Sequence, residues 1–99
     1  MKYAIHTLNK AFDHRVRLGV MAVLLAGSDS VSFNDLKESL DLTDGNLASH
    51  VAALEKAGYV LVSKQFIGKK PNTTYEATAE GKLAFQQHLA ALEKLLKQP

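Results

Sequence analysis

Lys56, Lys64, Lys69 and Lys70 are four cations in one stretch of the 99-residue chain, and no acid lies between Lys56 and Tyr75. A merely soluble loop mixes charge signs, so cations massed in this way point to phosphate as their partner. A solvated hairpin tip is the other reading of Lys64, Lys69 and Lys70. Other chemistries fail on spacing. Gly68-Lys69-Lys70 is no phosphate loop, because Ser63 stands where the first glycine would fall and Lys70 replaces the required hydroxyl. Ser49 and His50 are neighbours, which on a helix point apart and cannot work as nucleophile and base. His6, His14, His50 and His88 lack ligand spacing for a metal within one chain. There is no cysteine, which removes disulfides, thiolate sites and thiol redox chemistry. With no paired carboxylates and no nucleophile elbow, neither an enzyme nor a cofactor is expected.

The net charge of +2 conceals the asymmetry. From Asp13 to Glu55 seven acids face Arg15, Arg17 and Lys37; from Glu76 onward three acids balance three lysines; Lys2 and Lys10 supply the remainder. A composition of 46% hydrophobic and 22% charged residues predicts one ordinary domain over residues 1–99. A chain of this size has no mass for a separate ligand-binding domain, so any sensing shares the same body. Met1 to Phe12 is interrupted by polar residues, unlike a signal peptide. No apolar run approaches the roughly 20 residues of a membrane span, so a cytoplasmic protein without a membrane partner is expected.

The elements that must position these lysines follow from periodicity. Asp13 to Ala26 carries Val16, Val20, Val23 and Leu24 at helical spacing, widened by Leu18, Met21, Ala22 and Leu25 into a core helix. Asp13 is its expected N-cap, and Gly27 with Ser28, Asp29 and Ser30 its stop. Ser32 to Asp35 nearly forms a capping box and opens a short helix to about Leu40. Asp41 and Leu42 make a tight link, Thr43 caps the next helix, and Leu47, Val51 and Leu54 mark its buried face up to the stop at Gly58. This is the outline of a helix-turn-helix over about residues 32–57. Tyr59 to Phe66 then reads as a strand, with Thr73 to Ala77 pairing back and Ile67 to Asn72 as the loop, giving a wing over about 60–77. Thr78 caps a last helix over about 79–96, roughly 27 Å long. Its Phe85, Leu89, Leu92 and Leu96 form more apolar stripe than a small domain needs to cover. The fold class is mainly α with a small β-hairpin (α+β), a winged helix-turn-helix with a long C-terminal dimerisation helix.

Three segments, "RVRLGVMAVLL", "FNDLKESLDLTDGNLASHVAALEKAGYV" and "TAEGKLAF", resemble the winged-helix transcriptional regulators of the MarR and ArsR type, in their compact single-domain form. The resemblance covers nearly the whole chain. It implies a homodimer on operator DNA, joined through the terminal helices, and a contact from Arg17 to the DNA backbone. Arg15 and Arg17 both stand where they could reach that backbone, and a salt bridge to Asp13 or Glu55 is the equal alternative. ArsR-type metal sensors carry cysteines in the second helix of the pair; here that helix reads "FNDLKESL", so thiolate metal sensing is not implied.

With Leu47, Val51 and Leu54 inward, the helix from Thr43 turns Asp44, Gly45, Asn46, Ser49, His50 and Ala53 outward. Asn46 suits bidentate contact with adenine, and Ser49 suits base edges or phosphate; Asn46 as a simple support of the helix start is the plainer reading. Gly45 fits a phosphate or base approaching the backbone, or is a tolerated flaw. His50 is either a DNA donor or a packing residue. The expected DNA-contacting set is thus Thr43, Asp44, Gly45, Asn46, Ser49, His50, Lys64, Lys69, Lys70, Asn72 and Arg17. The expected dimer interface is Tyr3, Leu8, Phe85, Leu89, Leu92 and Leu96. Partners are double-stranded DNA, a second copy of the chain, and an effector of unspecified chemistry. Repression is expected over activation, since the body leaves nothing to recruit polymerase. The competing function is a winged-helix protein-interaction module that does not bind DNA.

Overall fold

The computed structural model describes residues 3–27 and 29–97; Ser28, read above as part of a helix stop, lies outside them. Two short 3-10 turns, Ile5–Thr7 and Lys10–Phe12, lead into α1 (Arg15–Ala26). Then follow β1 (Val31–Ser32), α2 (Phe33–Leu40), α3 (Asp44–Lys56), β2 (Val60–Ile67), β3 (Lys70–Ala77) and α4 (Ala79–Leu96). The helix-turn-helix, hairpin and terminal helix therefore lie where periodicity placed them.

Local chemistry differs from expectation at three places. The N-cap of α1 is His14, not Asp13: its Nδ1 accepts from the Val16 N–H at 3.1 Å. Burial of Phe12 fixes the 3-10 turn before it, and Asp13 closes that turn in helical backbone (φ −71°, ψ −4°), where a cap would need extended backbone. At the other end of α1, Gly27 is extended (φ −114°), so the helix stops without a left-handed glycine. The hairpin loop is also shorter than Ile67 to Asn72. Only Gly68 and Lys69 turn, with Ile67 paired to Lys70 and positive φ (65°) at Gly68 alone of the two, the pattern of a type II′ turn. Pro71 and Asn72 are strand residues. β1 reaches β3 only at Thr74 and Tyr75, so at Pro71 β3 has a neighbour on one side only, where a missing N–H is tolerated. The two-residue β1, which completes a three-stranded antiparallel sheet of order β1-β3-β2, is too short to show alternation in sequence.

Two helices end in the same hydrogen-bonded cap. After α2, Leu42 N–H reaches Lys37 O and Asp41 N–H reaches Glu38 O, with Asp41 left-handed at φ 53°. After α3, Tyr59 N–H reaches Leu54 O and Gly58 N–H reaches Glu55 O, with Gly58 at φ 83°. The first cap makes the turn of the helix-turn-helix; the second throws the chain from α3 into the wing.

One core joins Phe12 and the inward faces of α1, α2 and α3 to Val60, Tyr75 and Ala84. Its N-terminal edge is closed by polar bonds: buried His88 Nδ1 accepts from Asn9 N–H at 3.0 Å, and the Asn9 side chain donates to the Tyr59 hydroxyl at 3.0 Å. His88 is the last buried residue of α4. Past it, Leu89, Leu92 and Leu96 are 45%, 37% and 76% exposed, and the helix runs on beyond the core within a particle 59 Å in its longest extent. Phe85, at the head of this stripe, packs inward and meets Phe12 edge-on with ring centroids 5.3 Å apart.

The root of α4 is the tightest junction. Thr78 Oγ1 donates to Gly58 O at 2.7 Å and accepts from Gly81 N–H at 2.9 Å, while Thr78 N–H donates to Tyr59 O at 3.0 Å. Gly81 lies so close that a Cβ there would sit on the Tyr59 carbonyl group. Gly81→Ala must push α4 off the wing root and should lower stability by about 1–3 kcal/mol, read as a fall in the urea midpoint. An unchanged midpoint would show that the junction is loose.

Candidate nucleic-acid interface

Leu47, Val51 and Leu54 are buried, and Thr43, Asp44, Gly45, Asn46 and Ser49 are exposed beside them. Thr43 Oγ1 accepts from the Asn46 N–H at 3.3 Å, so at the helix start Asn46 lends its backbone and leaves its side-chain amide in solvent. Ser49 Oγ donates back to Asn46 O at 3.2 Å, which keeps its lone pairs as acceptors. Asp44 is paired with Lys37 of α2 at 2.8 Å. An exposed pair of this kind adds little stability, about 1 kcal/mol or less, but it sets a cation against the carboxylate at the start of α3. Around Gly45 nothing lies within 4 Å of where a Cβ would stand, so backbone is open to approach from outside.

His50 and Arg17 are brought together, which sequence did not foresee. Arg17 Nε donates to His50 Nδ1 at 3.1 Å, in place of the salt bridge to Asp13 or Glu55. The rings of His14 and His50 stack, with centroids 4.0 Å apart and planes at 29°. Burial, and then repulsion from His14 and Arg17, holds the His50 pKa below its ordinary 6.5. His14 and Lys37 are therefore site residues that sequence reasoning missed; each acts across two helices, and no spacing within one element signals such contacts.

The wing residues divide between two faces. Residues directly opposite in an antiparallel pair share a face, and successive residues alternate. Val60, Val62, Lys64 and Phe66 thus share one face with Pro71, Thr73, Tyr75 and Ala77, and this is the face that buries Val60 and Tyr75. Lys64 shares a shallow groove with Ala48, Ala52 and Glu55 of α3, so it stands against the recognition helix. Lys70 and Asn72 belong to the opposite face, and Lys69 to the turn. Lys64, Lys69 and Lys70 are exposed, whereas Asn72 is half-buried.

The other predicted set does not touch this surface. Tyr3 and Ile5 are exposed beside the far end of α4, where Tyr3, Ile5, Leu95 and Leu96 line an open cleft of about 490 Å³; Leu8 is half-buried. Among the described residues no three His, Asp or Glu side chains come together as metal ligands, and no helix is long and apolar enough to cross a membrane.

A capped helix pair whose second helix exposes polar side chains, followed at once by a lysine-bearing hairpin, defines a winged helix-turn-helix DNA-binding domain. The chain belongs to the family described as "Winged helix DNA-binding domain", whose model matches residues 16–96. An uncharacterized protein of Methanocaldococcus jannaschii is 39% identical over 88 residues, covering 89% of this chain and 95% of that one. A transcriptional regulator homologue from Pyrococcus horikoshii OT3 is similar in structure at a TM-score of 0.78 with 35% identity, covering 87% of this chain and 84% of that one. A MarR-family transcriptional regulator from Rhodococcus sp. RHA1 shares the fold at a TM-score of 0.70 with 18% identity, covering 93% and 66%. Family and fold are those of a DNA-binding transcriptional regulator, not of an enzyme.

Because the His50 pKa is lowered in the fold, the unfolded chain takes up the proton first, and stability falls as pH drops below about 6.5. His50→Asn, which keeps an acceptor near the Nδ1 position but does not titrate, should flatten this part of the profile. Urea midpoints of both proteins at pH 7.5 and 5.5 measure it; equal pH dependence in the two would show that His50 is not responsible.

Proposed function

We propose that the protein is a transcriptional repressor that binds operator DNA as a homodimer in the cytoplasm, with α3 in the major groove and the wing on the flanking backbone. The observation that carries this reading is the shared groove of Lys64 with Ala48, Ala52 and Glu55, in which one wing lysine stands against α3. Asn46, Ser49 and the open backbone at Gly45 supply base and phosphate contacts at the front of α3. Lys64, Lys69 and Lys70 supply the sequence-independent attraction that such contacts need. Thr43 and Asp44 serve the interface through the helix start, one as its cap and the other as the partner of Lys37.

Self-association is supported by the C-terminal half of α4, whose Leu89, Leu92 and Leu96 have no core to cover, together with Tyr3 beside them. A two-fold pairing there would space two recognition helices for half-sites about one DNA turn apart. The open cleft of Tyr3, Ile5, Leu95 and Leu96 lies on the same surface, which is where an apolar effector would bear on dimer geometry.

Retention of a duplex, followed by fluorescence anisotropy, should fall roughly 10³-fold or more between 50 and 200 mM salt if each subunit makes three to five phosphate contacts. Replacing both Lys69 and Lys70 with glutamate should abolish retention. Salt-independent binding, or an unchanged double variant, would favour a protein-interaction module. Sedimentation of the native chain at micromolar concentration should give a dimer and Leu92→Lys with Leu96→Lys a monomer; a native monomer would remove the dimer.

A further inference from the structure

We propose that Arg17 of α1 and His50 of α3 form a phosphate clamp, in which His50 is a positioning residue that aims the Arg17 guanidinium at one phosphodiester of the bound DNA. This rests on the DNA-binding reading above, and it moves His50 from reading bases to holding another side chain.

Three observations converge on it. First, the acceptor edge of the imidazole is already engaged: its Nδ1 accepts from Arg17 Nε at 3.1 Å and one ring face lies on His14 at 4.0 Å between centroids. Second, among the described residues the guanidinium is held by a single N–H, so its two terminal amino groups keep their four N–H bonds in the planar fork that matches two oxygens of one phosphate. Third, the cluster lacks an anion. Among the described residues no carboxylate lies within ion-pair distance of Arg17, although Arg17 is half-buried and bonded to His50.

The surroundings favour the same ligand. Arg17 lies in the first turn of α1, a helix of 12 residues whose N-terminal end carries partial positive charge. His14, the cap of that helix, accepts from Val16 N–H through its own Nδ1, so the ring that supports His50 is itself anchored. His50 lies on α3 one helical turn beyond Asn46 and beside Ser49, so the clamp borders the surface proposed to enter the groove. A backbone phosphate at the groove edge would complete the cluster. The charged and titratable groups that bear on His50 are His14, the cap of α1, and Arg17 within that helix.

A double-mutant cycle on a mixed-sequence duplex at low salt tests the clamp, with thermal unfolding of each variant as the control for folding. Arg17→Ala and His50→Ala should each weaken binding about tenfold and lower the salt slope by about one, and the double variant should bind no more weakly than Arg17→Ala alone. His50→Asn, with an amide oxygen near the place of Nδ1, should restore native affinity and slope. Should His50→Ala fail to fold, His50→Asn and His50→Gln decide, because only the first offers its acceptor where Arg17 Nε reaches. Additive losses, or His50→Asn as weak as His50→Ala or His50→Gln, would overturn the clamp while leaving DNA binding in place. A native protein that does not retain the duplex at all would overturn both.

Discussion

The geometry of the DNA-facing surface depends on one close approach, that of Gly81 to the Tyr59 carbonyl, stitched by Thr78. Here the end of the recognition helix, the root of the wing and the start of the terminal helix meet within a few residues. The left-handed Gly58 sends the chain out of α3, Thr78 ties its carbonyl back, and α4 begins on the same hydroxyl. No flexible linker separates the parts. The end of α3, the root of the wing and the start of α4 are therefore held to one another at one junction.

Charge divides labour across that surface. The recognition helix offers neutral side chains at Asn46 and Ser49 and has its forward carboxylate, Asp44, paired with Lys37. Three lysines stand on the wing, and they are not equivalent. Lys64 faces α3, Lys69 caps the turn and Lys70 lies on the outer face, so the wing presents charge around its tip. The proposed division, specificity from the helix and attraction from the wing, suits a protein whose net charge is only +2.

Much of the fold was legible because it is written locally. Ser32, Thr43 and Thr78 each accept from the N–H three residues on, as their types predict for a cap, and Leu47, Val51 and Leu54 are buried as their spacing requires. What was not legible depends on contacts distant in sequence. Asp13 has the right type for a cap, but burial of Phe12 one residue earlier decides its backbone. Val31 and Ser32 become a strand only because Tyr75 and Thr74 lie alongside. The stretch from Ile67 to Asn72 carries turn formers and charge, yet the strands pair through all but two of its residues. The candidate site followed the same rule: its outward residues could be placed by helical phase, whereas the Arg17–His50–His14 cluster and the Lys37–Asp44 pair arise between helices.

In the proposed function α3 and the wing together read a specific duplex. Selection of binding sites from random duplex DNA tests it most directly, since enrichment, symmetry and spacing emerge from one experiment. An enriched inverted repeat is expected, with half-sites centred about one DNA turn apart. Recovery of no enriched sequence at physiological salt would contradict it.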